Sequence, residues 1–332
     1  MDVQKVKRRG FFAMLAVAFS YILYLVAENN RWIILTHRAR SFEPGIQPVS
    51  RESDREISLL LIGDTGKGSE QRIEVMRSIK QQPFVSDIDA VLLMGDNFYE
   101  AGVVSVDDPK FKIDFEDVFA GGAFDCPFYP TLGNHDYAGN IDAQVEYSQR
   151  SDRWKMPALY YKVRHESEGQ TLDLFVIDSN TIVSGQPSAD DQIAWLDSEL
   201  AASDAQWKIV MGHHPIITGG EHGPSQIMQD RFAPLFIKHN VDIYAAGHEH
   251  DLQMLDSNQG WLQVISGSGS KIRSTTWIDS TQFAAAKPGF AWLLVQNGRL
   301  SISYFSCDGH LFTHELPRKS RRALPQAVAS TT

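Results

Sequence analysis

The chain has 332 residues, 43% of them hydrophobic and 11% aromatic, which is enough apolar material for a large packed domain and too much for a disordered chain. Its net charge of −10 conceals an asymmetry, because residues 1–40 hold seven Lys/Arg against Asp2 and Glu28, leaving 24 basic and 39 acidic residues and a charge of −15 on the remainder. A body that acidic excludes a general electrostatic footprint for nucleic acid, so any phosphate it handles must be drawn by something local, such as metal ions.

Lys5, Lys7, Arg8 and Arg9 form a basic stretch over residues 1–9, expected on the cytoplasmic side, and an uncharged run follows from Gly10 to Ala27. Eighteen residues at ~1.5 Å each span roughly 27 Å as a helix, close to a bilayer core. Residues 10–27 therefore read as a signal-anchor or a signal peptide, and Leu25, where a cleavage site wants a small residue, favours the anchor. Arg31, Arg38 and Arg40 on the far side weaken the charge bias without reversing it, so the body is expected to be extracytoplasmic, either membrane-anchored or secreted. Residues 28–55 suit a linker, residues 56–317 the folded domain, and residues 318–332 a loose tail.

Inside the domain one pattern recurs, a short apolar run closed by glycine and then by metal-loving residues: LLLIGD (59–64), VLLMGDN (91–97), YPTLGNHD (129–136), IVMGHHP (209–215) and IYAAGHEH (243–250). Aliphatic runs with few polar interruptions suit strands buried on both faces, as in sheets covered by helices. Ser69 can cap a helix to Gln81 with Ile73, Met76 and Ile79 on one face, and Ser188 another with Ile193, Leu196 and Leu200. The expected fold is a layered α/β domain, in which ligands collect beyond the carboxyl ends of the strands. Cys126 and Cys307 are too few for a disulfide scaffold; two separate buried thiols is the preferred reading, with pairing left open.

Singly, each residue after these strands is weak, since a Gly-Asp is usually a turn and a lone histidine usually a satisfied polar group. Jointly, Asp64, Asp96, Asn134, His213, His248 and His250 share one strand-glycine signature and offer carboxylate and imidazole, the ligands of transition metals. Two histidines one residue apart in an extended loop point the same way, so His248 and His250 can serve two adjacent ions. Such ions, roughly 3.5 to 4 Å apart, need a bridging ligand, and the carboxylate of Asp96 suits that role. Tyr99 lies three residues further on. A phenol with an ordinary pKa of about 10 binds as phenolate near neutral pH only to a strongly acidic cation, which favours a trivalent ion, with Fe(III) the candidate.

These residues resemble the purple acid phosphatases, specifically their short, mammalian-type, tartrate-resistant branch in the calcineurin-like metallophosphoesterase superfamily. The resemblance runs from about Ile57 to Pro317 through GDTG, GDNFY with GV at 102–103, FEDVF, GNHD, GNIDAQVEYSQRSDRWKMP, GHHP, EHGP and GHEH. It implies a metallophosphoesterase fold with Fe(III) held by Asp64, Tyr99 and His250, a divalent ion (Fe, Zn or Mn) held by Asn134, His213 and His248, and Asp96 as the bridge. It further implies that His135 and His222 bind the phosphate or protonate the leaving oxygen. The expected activity is hydrolysis of small-molecule phosphate monoesters or phosphoproteins by metal-bound hydroxide, with an acidic optimum. Thr65 stands where the family has Trp, and Gly66 where the wider superfamily has a histidine, a gap that Tyr99 fills. His214 is expected to face away, and Asp136 and Asp178 to support loops. The competing readings are a phosphodiesterase or nucleotide pyrophosphatase using the same metals, and an inactive membrane-anchored scaffold, which ought to have lost ligands.

Overall fold

All the glycine-closed runs end strands. The computed structural model describes residues 47–49, 56–167 and 169–317, so the apolar run at 10–27, the basic stretch before it and the tail at 318–332 lie outside the described residues. Among the described residues no helix is long and apolar enough to cross a membrane.

In chain order the strands are β1 (Gln47–Val49), β2 (Glu56–Ile62), β3 (Ala90–Met94), β4 (Phe128–Thr131), β5 (Tyr161–Ser167), β6 (Gln170–Val176), β7 (Trp207–Met211), β8 (Ile243–Ala246), β9 (Leu252–Asp256), β10 (Leu262–Ser266), β11 (Thr281–Ala285), β12 (Gly289–Gln296), β13 (Arg299–Ser306) and β14 (Gly309–Leu316). The main helices are α1 (Glu70–Lys80), α2 (Asn134–Tyr137), α3 (Ile141–Tyr147), α4 (Ser179–Val183), α5 (Ser188–Ala202) and α6 (Gln226–His239). They build two sheets, ordered β1-β5-β6-β7-β8-β10-β9-β11 and β14-β13-β12-β2-β3-β4. The strands that lead to the site run parallel to their neighbours, β2 with β3 and β3 with β4 in one sheet, β7 with β8 in the other. Strand β1 falls inside the stretch expected to be linker and pairs with β5.

The continuous apolar runs follow from alternation. Leu174, Val176, Ile209, Met211, Ile243 and Ala245 share one hydrophobic cluster with Leu59, Leu61, Val91 and Leu293 of the other sheet. The intervening Phe175, Val210, Tyr244 and Ala246 instead join Leu196 and Leu200 of α5 and Phe232 and Phe236 of α6. Successive side chains point to opposite faces of a strand, and here both faces are covered, one by a sheet and one by helices. Each such burial stabilises by roughly 1.5 to 3 kcal/mol over exposure.

Three local expectations are corrected. In α1, Ser69 caps by accepting from Arg72 N at 3.1 Å, but Ile73 is 59% exposed, and the inward stripe is Arg72, Val75, Met76 and Ile79. Ser188 does not cap α5; it is the first helical residue, after Pro187, and no side-chain cap is made. No disulfide joins the cysteines, and Cys126 is buried while Cys307 is exposed, so they neither pair nor form two buried thiols.

His165 on β5 yields a stability prediction. It is only 3% exposed, its Nε2 has no hydrogen-bond partner, and burial pushes its pKa down to about 4, partly offset by Asp173. Below the ordinary value of about 6.5 the unfolded chain binds a proton that the native imidazole refuses. This cost is absent above that pH and grows to roughly 3 kcal/mol as pH falls to about 4. Denaturant titrations over this window should show His165→Leu losing less stability than wild type; parallel losses would contradict the assignment.

Candidate metal centre

The site lies beyond the carboxyl ends of β2, β3 and β4 from one sheet and β7 and β8 from the other. Three of its residues, Asp64, Asp96 and His248, hold φ of 57°, 51° and 67°. That left-handed region costs a non-glycine residue about 1 to 3 kcal/mol and is concentrated at functional sites. Hydrogen bonds hold the turns there, Asp64 N donating to Gly95 O at 3.0 Å and His248 N to Asp64 Oδ2 at 2.9 Å. Two glycines are sterically required. A Cβ on Gly95, at φ 83°, would lie 2.5 Å from His213 Nδ1, and one on Gly66 would lie 2.5 Å from Asn97 O, so the GDTG turn has no room for a side chain where the superfamily places a histidine.

The seven expected ligand positions come together in two overlapping sets. In the first, Tyr99 Oη donates to Asp96 Oδ2 at 2.8 Å and sits 3.1 Å from Asp64 Oδ1 and 3.4 Å from His250 Nε2, which is 3.3 Å from Asp64 Oδ1. In the second, His213 Nε2 lies 3.2 Å from Asn134 Oδ1, 3.1 Å from His248 Nδ1 and 3.5 Å from Asp96 Oδ1. Asp96 thus turns one carboxylate oxygen to each set. His213 is oriented by its other nitrogen, 2.9 Å from Met94 O, which as an N–H donor to that carbonyl leaves Nε2 as a lone pair facing the site.

The donor chemistry fits a pair of cations. Separations of about 3 Å match neighbouring ligands on an ion at roughly 2.0 to 2.2 Å. Burial drives the Asp64 carboxyl well above its usual range, and the neighbouring Asp96 raises it further, against the lowering effect of His213. Burial and the same two carboxylates drive the Tyr99 phenol far upward. Acidic groups packed this closely in a buried site are compensated by cations rather than by one another.

His135 and His222 flank the centre. The His135 ring packs 4.2 Å from Tyr99, with Nδ1 2.5 Å from Glu100 O and Nε2 4.0 Å from Asp96 Oδ2. The His222 ring lies 4.1 Å from that of His248, and its backbone N donates to Glu249 Oε1 at 3.0 Å. His214 does not face away: its ring is 4.6 Å from His248 and its Nδ1 is 2.9 Å from Ser179 Oγ. The reason is local, because Ser179 Oγ accepts from both His213 N and His214 N and coils the chain, so the two side chains do not alternate. Asp136 accepts from Gly133 N, Asn97 N and Phe98 N, tying the β3 and β4 loops together, and Asp178 caps α4 at Asn180 N. Both act as loop supports.

Two residues at the site were not singled out from the sequence. Glu249, fully buried between the two histidines of GHEH, holds the His222 loop, and Arg273 lays its guanidinium against the His222 ring. Glu249 carried a signal, an acid inside a ligand motif; Arg273 carried none.

The model of the calcineurin-like phosphoesterase family matches residues 57–252. The chain is 33% identical over 264 residues to tartrate-resistant acid phosphatase type 5 of Oryctolagus cuniculus, covering 70% of this chain and 80% of that one. It is 34% identical over 294 residues to purple acid phosphatase 7 of Arabidopsis thaliana, covering 80% and 87%. The chain belongs to the purple acid phosphatase family. The stretch matched to the phosphoesterase model starts at β2 and ends just past His250, so it contains every member of both donor sets. Among solved structures, GAP50, the anchor in the inner membrane complex of Plasmodium, superposes with a TM-score of 0.75 at 24% identity over 81% of this chain and 91% of that one, a likeness of fold alone.

Proposed function

We infer that this protein is an acid phosphatase that hydrolyses phosphate monoesters at a dinuclear centre. Asp64, Tyr99 and His250 would hold Fe(III); Asn134, His213 and His248 would hold Fe, Zn or Mn in the divalent state; Asp96 would bridge. The observation that carries this reading is the Tyr99 hydroxyl, placed among Asp64, Asp96 and His250 rather than packed into the core. The cations, when bound, offset the charge of the phosphoryl group and make hydroxide available below neutral pH, the trivalent ion at lower pH than a divalent one.

The chain's own residues do the rest. Asp96 sets the spacing of the two ligand sets, and His135 N, donating to Asp96 Oδ1 at 2.9 Å, fixes the carboxylate's orientation. His135 and His222, on opposite flanks, bind phosphoryl oxygens or deliver a proton to the leaving oxygen, work for which an imidazole's pKa is suited. The retention of a full donor set argues against an inactive scaffold. Residues 10–27 would carry the domain at 56–317 to the extracytoplasmic side, as an anchor or a cleaved signal.

Turnover of phenyl phosphate and of diphenyl phosphate, each followed from about pH 4 to about pH 9, tests the reading. The monoester should be preferred, with its maximum on the acid side. Preference for the diester, or a maximum well above neutrality, would sink it.

A further inference from the structure

His214 stands among the candidate ligands and has no part in the chemistry above. Its ring is 4.6 Å from that of His248 and 5.0 Å from that of His213, and one nitrogen of each of the three lies within 4.8 Å of the others. Two hydrogen bonds fix its backbone, Tyr244 Oη donating to His214 O at 2.7 Å and His214 N donating to Ser179 Oγ at 2.9 Å.

Ser179 also decides which ring nitrogen carries the proton. A hydroxyl has one hydrogen to give and two lone pairs with which to accept. Both lone pairs are taken, by His213 N at 3.1 Å and by His214 N. The hydrogen is left for His214 Nδ1, 2.9 Å away. A proton on Nδ1 would face an oxygen with no lone pair to spare, so the ring is neutral and protonated on Nε2. The serine cannot turn aside to relieve this. It is fully buried in the first turn of α4, which Asp178 caps by accepting from Asn180 N at 3.1 Å while also accepting from Tyr137 Oη.

Neither nitrogen of His214 is then free to hold a cation, because a metal takes an imidazole nitrogen that is deprotonated and has its lone pair open. What the ring offers instead is a donor. Among the described residues no hydrogen bond engages Nε2, yet it is not one of the sealed polar atoms that lack a partner, so it opens to solvent beside the centre. An N–H at that place matches an oxygen of an anion drawn in by the cations, and an N–H to a charged oxygen is among the stronger hydrogen bonds.

We propose that His214 is a third substrate-binding histidine, which donates Nε2–H to an oxygen of the phosphoryl group or of the product phosphate. This role rests on the phosphatase reading, and its test keeps the two apart.

Inorganic phosphate is titrated calorimetrically into the full-length, metal-loaded protein. His214→Asn keeps an acceptor for Ser179 but falls short of the Nε2 position, and should weaken phosphate binding by about tenfold or more, the worth of one hydrogen bond to a charged group. His214→Gln, whose longer side chain brings an amide N–H close to that position, should recover much of the loss, and both variants should keep the metal content of the wild type. In the wild-type protein loaded with diamagnetic Zn(II), long-range proton–nitrogen NMR spectra should show His214 protonated on Nε2 alone. Unmoved phosphate affinity in His214→Asn, equal losses in the two variants, a proton on Nδ1, or loss of metal from His214→Asn overturns the role of His214 alone. A loaded wild-type protein that neither binds phosphate nor hydrolyses phenyl phosphate overturns the phosphatase reading and this role with it.

Discussion

Asp96→Asn is expected to lower phenyl phosphate turnover by more than about 100-fold and to leave the purified protein short of metal. Loss of a residue that merely orients a ligand costs about 10- to 100-fold in affinity or activity, and Asp96 is a shared member of both donor sets. Its Oδ2 accepts from Tyr99 and its Oδ1 from His135 N, with His213 Nε2 close by. The amide keeps the shape and tolerates the left-handed backbone at this position, so the fold should survive. It offers one oxygen instead of two and turns an NH2 toward either Tyr99 or the His135 N–H. Metal analysis alongside turnover and a circular dichroism spectrum reads all three consequences. Full metal content with near-normal turnover would mean that Asp96 does not bridge.

Tyr99→Phe is expected to abolish a visible absorption band that the oxidised wild-type protein should show. A phenolate on Fe(III) gives charge-transfer colour, purple or pink, and no other described side chain at this centre is a phenol. The substitution removes only the hydroxyl. The ring can stay packed against His135 at 4.2 Å, and Asp64 and His250 remain in place for the ion. Colour should therefore disappear while much of the metal stays. A wild-type protein that is fully loaded and oxidised yet colourless would leave the two-metal hydrolase standing and remove its Fe(III)–phenolate.

Both predictions concern residues legible before any coordinates, and the reason is physical. A strand buried on two faces leaves an uninterrupted aliphatic run, a sharp turn at its end demands glycine, and a polar residue placed after that turn is conspicuous when the pattern recurs five times. The chemistry of the side chains then limits what they can hold, which is how Tyr99 pointed to a trivalent ion. Helix faces were less legible. Ile73 fits the apolar spacing of α1 but lies on its exposed side, because the phase of a helix is set by what it packs on.

By itself the sequence determined the layered α/β class, the strand-end positions of the candidate site and its candidate donors, since these depend on local periodicity and on side-chain chemistry. Only the tertiary structure decided that three of the five runs belong to one sheet and two to the other, because strand partners are chosen by contacts distant along the chain. It alone turned His214 toward His248, through a serine on another element, and set Arg273 against His222, with a backbone hydrogen bond to His250. Those placements depend on the closure of long loops, for which no short stretch of sequence carries a pattern.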